Sequence, residues 1–490
     1  MPRWYCSIIL LTAALTASAG EPLSLRIDGV IESAPAAQQA FWGIRIVNLA
    51  NGSIVYEKNA NRFFVPASNT KLFSTALALM RLGPSYRFTT RVLAGSEPVN
   101  GVLHGDLRLV GGGDPNLSAR VLPYKKDAAT DNPLQKLEDL ADQIVARGLT
   151  VINGNILGDD TAYPWEPYPN GWAANDSISD DGAPVSALTL NDNAFKITIG
   201  PGANAGDPAT LTLLPTLEPL TIHNRVLTTN GNDRKIHFER LSNSHELIIT
   251  GTMPIAAVPY VTTLAVDDPA LYAAKALLDA LEKRGVVVKG TALSLHRQAA
   301  EAPVAEEGIE LAKHLSEPLL EVLQVVDKES QNLHAELMLR TVARERTGDG
   351  SLENGIKEMK AFLSSIGVDQ KQYRFEDGSG LSRLTLLTPL TISKLLLYMY
   401  NSPYRDAWPA LLPIAGEDGT LSRRFVNTRA AGVVHAKTGS LSHVTALSGY
   451  ILPKSGRRYA FAITVNNFNA DATSIRRTLD KIILLLVSPK

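Results

Sequence analysis

The chain changes texture along its length, and those changes constrain its fold more than any other feature. A helix-forming stretch over residues 68–82, with Leu72, Ala76, Leu79 and Met80 at helical spacing, is stopped by Gly83-Pro84. From residue 86 to 295 short β-like runs take over, at 88–93, 106–110, 152–157, 195–199, 211–214 and 247–250. Gly, Asn, Asp and Pro clusters separate them, one helical stretch at 134–147 interrupts them, and a helix at 268–284 closes the series. Past an Ala/Glu-rich linker at 298–308, helical texture returns at 318–326, 333–346 and 356–365. This order predicts a body of helices and strands formed by both ends of the chain and interrupted by an inserted β-rich region of one or two domains.

The ends of the chain supply the remaining strands. Residues 41–47 alternate partly, Asn51-Gly52 follows, and 54–56 resumes the pattern, which predicts a two-residue hairpin in which both central positions take φ > 0. A second hairpin is expected from 446–451 with 459–465, followed by a helix over 472–487. The apolar cluster 482–487 in that helix is too short to anchor in a membrane and reads as core.

The first residues read as a leader. Met1-Pro2-Arg3 gives a thin positive start, residues 8–19 form an apolar run, and Ala17-Ser18-Ala19 is a small-x-small cleavage site, so residues 1–19 are expected to be a secretory signal peptide. Its removal would take away Cys6, the single cysteine among 490 residues. The mature chain would then have no thiol, which excludes disulfides, cysteine-ligated metals and a cysteine nucleophile. The 48 basic and 49 acidic residues leave a net charge of −1, so no overall basic field exists to hold nucleic acid. An exported protein of the periplasm or cell envelope is expected, soluble once the leader is gone and without a transmembrane segment.

Three short motifs carry chemistry. Ser68-Asn69-Thr70-Lys71 opens the 68–82 helix and sets a hydroxyl and an amine at i and i+3. A lysine whose pKa is lowered by burial can take the serine proton, and the helix start offers N–H groups to an oxyanion. Ser330-Gln331-Asn332 sits between two helical stretches, where a hydroxyl and an amide are able to relay a proton and hold a carbonyl. Lys437-Thr438-Gly439 ends a β-like run, with a cation and a hydroxyl for a carboxylate and a glycine that lets substrate backbone lie close. Singly, each has a plainer reading as a helix cap or a strand end. Together, in this order and setting, they are the trio of penicillin-binding proteins and β-lactamases. There is no Gly-x-Ser-x-Gly elbow, His-Glu-x-x-His or phosphate loop, and His435 and His443, which flank the third motif, read as structural.

On these motifs the sequence resembles the low-molecular-mass class C penicillin-binding proteins, the D-alanyl-D-alanine carboxypeptidase/endopeptidase family. More than 250 residues separate Ser68 from Ser330, far too many for a β-lactamase. Gly111-Gly112-Gly113-Asp114-Pro115, residues 377–383 and residues 415–421 also look like the family. The resemblance implies an α/β, β-lactamase/transpeptidase-like domain, a sheet sandwiched by helices, built from 20–85 and 296–490, with 86–295 as inserted β-rich domains. It further implies a serine peptidase that cleaves peptidoglycan stem peptides and cross-links, binds β-lactam antibiotics covalently, uses no metal or cofactor, and is compatible with a homodimer. Ser68 would be the nucleophile, Lys71 its base, and Ser330 the relay to the leaving D-alanine. Asn332 would bind the peptide amide, and Lys437 with Thr438 the terminal carboxylate beside Gly439. The positive charge of Lys437 would favour a neutral Lys71, and the N–H groups of Ser68 and Ser440 would form the oxyanion hole. Members that cut diaminopimelate-type stems use an acid from the inserted region. The nearest matching stretch, residues 158–163, puts Asp160 against the side-chain ammonium, with Asp159 one register away, and Arg383 against its carboxylate.

Overall fold

The computed structural model describes residues 21–217, 220–240, 244–302 and 307–487. The expected leader, with Cys6, lies outside them. Five antiparallel strands form a central sheet in the order Val434–Leu441, Val444–Ile451, Tyr459–Asn466, Phe41–Asn48 and Ile54–Lys58. Successive side chains on a strand point to opposite faces, and the last hairpin strand shows the consequence. Phe461, Ile463 and Val465 join Ile44 and Ile46 against the helices Leu23–Glu32 and Ala472–Val487. The small Ala460 and Ala462 face the other way, where the helices Lys71–Leu82, Leu319–Lys328, Asn332–Thr347 and Pro389–Tyr400 close over the sheet. The result is an α/β sandwich with the sheet between two helical layers.

The C-terminal helix Ala472–Val487 is core, as expected from its pattern. Ile475, Leu479, Ile482, Ile483 and Leu486 form one buried stripe, each worth about 2 kcal/mol of apolar burial. Among the described residues no helix is long and apolar enough to cross a membrane.

Between Thr89 and Leu315 the chain leaves this body and returns. A five-stranded sheet runs Ala292–Arg297, Ile156–Pro164, Leu107–Val110, Thr89–Ala94, Ile309–Leu315, and further three-stranded sheets and the helices Gln135–Ala146 and Pro269–Glu282 share its core. Its first and last strands pair, from Ile309 opposite Ala94 to Leu315 opposite Thr89. Phe88 and Ser316 then lock the exit: the Ser316 N–H donates to the Phe88 carbonyl at 3.0 Å, and the Phe88 N–H to Ser316 Oγ at 2.9 Å. The expected division at residue 296 places this last strand with the helical body, whereas its hydrogen bonds join it to the inserted sheet.

Local details differ from expectation for identifiable reasons. The first hairpin is not a two-residue turn. Its strands stop at Asn48 and resume at Ile54, because Leu49 is buried and its N–H is tied to the Arg458 carbonyl, so the chain turns only later, with Gly52 at φ 70°. The run 152–157 is two strands in different sheets, Val151–Asn153 and Ile156–Pro164. The helix Pro389–Tyr400 had no counterpart in the hydropathy reading, although Thr388 caps it at the Thr391 N–H and Pro389 occupies its first position.

Candidate active site

The stretch expected to start a helix at Ser68 is a tight 3-10 turn, Ala67–Thr70, leading into the helix Lys71–Leu82. Ala67 holds φ 49°, a strained value for an alanine. Three contacts fix the turn. Thr70 Oγ1 donates to the Ala67 carbonyl at 2.9 Å, and Asn69 Nδ2 donates to the Lys437 carbonyl at 3.0 Å, joining the turn to the strand Val434–Leu441. Gly380, at φ 80°, packs so closely that an added Cβ would lie 2.0 Å from the Ala67 carbonyl oxygen. Ser68 is thereby presented on the wall of an open groove of about 470 Å³.

Lys71 is fully buried directly behind it. Its Nζ lies 2.9 Å from Ser68 Oγ, 2.5 Å from Asn332 Oδ1 and 2.9 Å from the Ser379 carbonyl oxygen. As an ammonium, Lys71 donates to all three. Asn332 Oδ1 and the Ser379 carbonyl are only able to accept, so a neutral amine keeps its two hydrogens on them and frees its lone pair for the proton of Ser68 Oγ, the one partner able to donate. Burial pushes the ammonium down to about 8, against the opposing pull of Asp377, Glu336, Asp327 and Asp181. The arrangement is that of a hydroxyl with its base already in place.

The second and third motifs converge on the same point. Ser330, at φ 64°, precedes the helix Asn332–Thr347 and accepts from Lys437 Nζ at 2.9 Å. Asn332 is spanned between two partners, since its Nδ2 donates to the Asp181 carbonyl of the inserted region at 2.8 Å. Lys437 is buried behind Ser330, and Thr438, Gly439 and Ser440 line the groove with Ser68, Ser330 and Asn332. Burial lowers the Lys437 pKa and the nearby Lys71 lowers it further, while Asp327 pulls it back. His435 and His443 are structural, each ring held to a backbone carbonyl, Pro409 and Phe468 respectively.

Arg383 lies on the groove wall as expected, but Asp160 does not. Asp160 is buried in the inserted region, where it accepts from Ser186 Oγ at 2.9 Å and lies 2.9 Å from His296 Nδ1. Asp159 is no substitute, being buried and paired with Arg108 at 2.9 Å. Asp176, Asp181 and Glu329 do line the groove, and of these Asp176 lies 3.6 Å from the Arg383 guanidinium. It sits in a loop without periodicity, which left no hydropathy signal to follow.

Two of the stretches singled out in the sequence by the resemblance alone also contribute. Residues 377–382 form a backbone loop whose Ser379 carbonyl faces Lys71. Glu336 accepts from the Gly378 and Ser379 N–H groups, and Asp377 from those of Gly380 and Ser382. Thr420, from the stretch 415–421, pairs with Thr438 at 2.8 Å on the groove wall.

Most of the chain has counterparts among known proteins. Residues 23–484 match the model of the D-Ala-D-Ala carboxypeptidase 3 (S13) family. A D-alanyl-D-alanine carboxypeptidase of Actinomadura sp. (strain R39) is 34% identical over 458 residues, 91% of this chain and 81% of that protein. The carboxypeptidase DacB of Haemophilus influenzae is 26% identical over 432 residues, 86% of this chain and 84% of its own. The crystal structure of penicillin binding protein 4 from Haemophilus influenzae superposes with a TM-score of 0.81 at 25% identity, covering 94% of this chain and 98% of that one. With Ser68 set against a buried lysine in one groove, and with the family model matching residues 23–484, the chain belongs to the D-Ala-D-Ala carboxypeptidase 3 (S13) family of serine-type peptidases.

Proposed function

We propose that this D-Ala-D-Ala carboxypeptidase works through an acyl-enzyme on Ser68, and that it also hydrolyses the D-alanyl cross-links of peptidoglycan as an endopeptidase. Ser68 Oγ attacks the penultimate D-alanyl carbonyl while its proton passes to Lys71 Nζ. The tetrahedral oxyanion is held by the N–H groups of Ser68 and Ser440. The C–N bond then breaks as Ser330 relays to the departing amine the proton that Lys71 took from Ser68, and water hydrolyses the ester to free the enzyme. Asn332 and Gly439 hold the peptide backbone, and Lys437 with Thr438 attract the terminal carboxylate. The single observation that carries this reading is the partner set of Lys71 Nζ, with two acceptors and the Ser68 hydroxyl.

Asp176 with Arg383 supplies opposite charges at the groove wall, suited to a stem side chain that ends in an ammonium and a carboxylate. Asp160 is not part of this pairing. Export to the periplasm or cell envelope, with loss of residues 1–19, completes the reading. So does a division into a peptidase domain made from both ends of the chain and an inserted β-rich region.

Penicillin presents a strained amide in the place of D-Ala–D-Ala and is expected to acylate Ser68. Intact mass of the purified mature protein, before and after penicillin, tests this directly. One stoichiometric adduct is expected, absent from Ser68→Ala. An adduct that persists in Ser68→Ala, or none on the wild type, overturns the assignment.

A further inference from the structure

A second groove, of about 900 Å³, neighbours the catalytic one, within the range of about 300–1,000 Å³ typical of ligand sites. The segment 173–179 contributes to both. Asp176 and Ser179 line the catalytic groove, whereas Ala173, Ala174, Ser177 and Ile178 line the second. Three aromatic side chains wall it, Trp165, Tyr168 and Trp172, together with Arg240, Asp268 and His296.

Those side chains are fixed before any ligand arrives. His296 lies between two carboxylates, 2.9 Å from Asp160 and 3.3 Å from Asp268. Asp160 is held in turn by Ser186, and Asp268 accepts from the Leu271 N–H and from Ser294 Oγ. Burial opposes a charge on the imidazole, but the two carboxylate hydrogen bonds outweigh it and hold the pKa up at about 10. The resulting imidazolium stacks on the Trp165 ring, centroids 4.1 Å apart and planes 28° from parallel. Trp172 is anchored through its Nε1, which donates to Asp377 at 3.2 Å, and Asp377 also braces the Ser379 loop behind Lys71. The Arg240 guanidinium donates to the carbonyls of Ser177 and Val266. Side chains held in this way lose little freedom on binding, so the contacts they make are realised as affinity.

We propose that this second groove binds the N-acetylated aminosugar chain from which the stem peptide hangs. Rigid indole and phenol faces match the apolar C–H face of a pyranose. The neighbouring guanidinium, imidazolium and carboxylate match its hydroxyl and acetamido groups. An extended peptide is recognised instead by main-chain hydrogen bonds along a strand edge, whereas the aromatic wall here is built of the side chains of Trp165, Tyr168 and Trp172, on the loop that follows the strand Ile156–Pro164. The placement rests on the peptidoglycan reading above: with the D-alanyl end at Ser68, the sugar end emerges beside a segment that both grooves share. It also gives Asp160 a role, as the residue that holds His296 under Trp165.

Two measurements test the proposal. The first compares kcat/KM for one pentapeptide, free and linked to its disaccharide. The wild type is expected to prefer the linked form by about tenfold, the equivalent of one or two aromatic contacts. Tyr168→Ala, at a ring that is 43% exposed, and Trp165→Ala should bring that ratio toward unity. A wild-type ratio of one, or a ratio that neither variant moves, overturns the proposal. An equal gain from a sugar-free cross-linked peptide overturns it as well, and gives the groove to a second stem. The second measurement titrates the peptide-free disaccharide against tryptophan fluorescence, which reads Trp165 and Trp172 whether or not the peptide is turned over. A saturable change that weakens in Tyr168→Ala is expected; no change up to millimolar sugar is the refuting result. Loss of peptide turnover with sugar binding intact would count against the Ser68 mechanism alone.

Discussion

Replacing Asp327 by asparagine should make this peptidase faster at neutral pH. In the proposed mechanism acylation needs the neutral form of Lys71, and burial lowers its pKa to about 8. At pH 7 about a tenth of the molecules then carry the free amine, against about one in 2,500 for a lysine at the ordinary 10.4. Holding the ammonium out of water thus supplies roughly two decades of reactive base, or about 3 kcal/mol. Between pH 7 and pH 9 the neutral fraction climbs from about 0.1 to about 0.9, so the acylation rate should rise nearly tenfold and then level. Asp327 is buried on the helix Leu319–Lys328, and its charge favours the ammonium form of both Lys71 and Lys437. Its own carboxyl is held well above the ordinary range by burial, so it ionises near neutrality and opposes deprotonation of the lysines from there upward. Asp327→Asn keeps the shape and removes the charge, so the alkaline limb must move toward acid. A displacement of one unit lifts the neutral fraction at pH 7 from about 0.1 to about 0.5, a fivefold gain. Stopped-flow acylation by a chromogenic β-lactam from pH 5.5 to 10, for wild type and variant, reads it out. A wild-type profile that is flat, or that rises only near pH 10, refutes the reasoning, as does a variant limb displaced toward alkali.

Three further outcomes follow from the geometry. Arg383→Ala or Asp176→Asn removes one half of the pair at the groove wall, and kcat/KM for stems with a zwitterionic side chain should fall about tenfold, the value of one charged contact. Penicillin acylation is the internal control, and an equal loss on both ligands would deny the pair a role in specificity. Gly380→Ala forces a Cβ onto the Ala67 carbonyl at a positive φ, a strain of about 1–3 kcal/mol, so acylation by the chromogenic β-lactam should slow by tenfold or more; an unchanged rate would show that the turn before Ser68 yields freely. Asp192 joins Arg120 and His334 beside the Ser330 segment, and these two partners, Arg120 foremost, hold its carboxyl far below the ordinary range despite burial. Breaking such a pair costs about 3 kcal/mol, so Asp192→Asn should lower the midpoint of denaturant unfolding. A depressed carboxyl contributes stability that is present above its unfolded pKa near 4 and lost as pH falls through the folded value. The wild type should therefore lose stability below pH 4 more steeply than the variant, and parallel acid curves would remove Asp192 from that account.

The parts of the site that were legible in the sequence are those where chemistry and local structure coincide. Ser68 and Lys71 are one turn apart, Ser330 and Asn332 flank a helix start, and Lys437 to Gly439 end a β-like run, so each motif carries its own geometry. The sandwich was legible for a related reason. Ala460 and Ala462 alternate with Phe461 and Ile463, and Ile475, Leu479 and Ile482 recur at helical spacing, so the faces are written into neighbouring residues. Asp160 and Asp176 show where such reading stops. On the strand Ile156–Pro164 both faces are buried, so Asp159 and Asp160 are each consumed by a partner more than 25 residues away, Arg108 for one and Ser186 with His296 for the other. Asp176 reaches the groove from a loop whose course is set by tertiary contacts, among them the Trp172 bond to Asp377.

The same distinction explains why the inserted region belongs to the site. Asn332 is positioned by an Asp181 carbonyl, and Glu329, next to Ser330, is paired with Arg120, which also holds Asp192. None of these partners lies within 130 residues of the motif it braces, so no local pattern announces them. Yet each bears on Asn332 itself or on the residue next to Ser330, directly or through Arg120. A serine relay at φ 64° and an amide stretched between Lys71 and Asp181 hold their geometry only if both sides of the groove are rigid. The segment between Thr89 and Leu315 thus supplies a wall of the groove that holds Ser68. A substitution such as Asp192→Asn, whose side chain touches no substrate, should therefore lower both unfolding stability and acylation rate, and stability alone would move if the wall were only a scaffold.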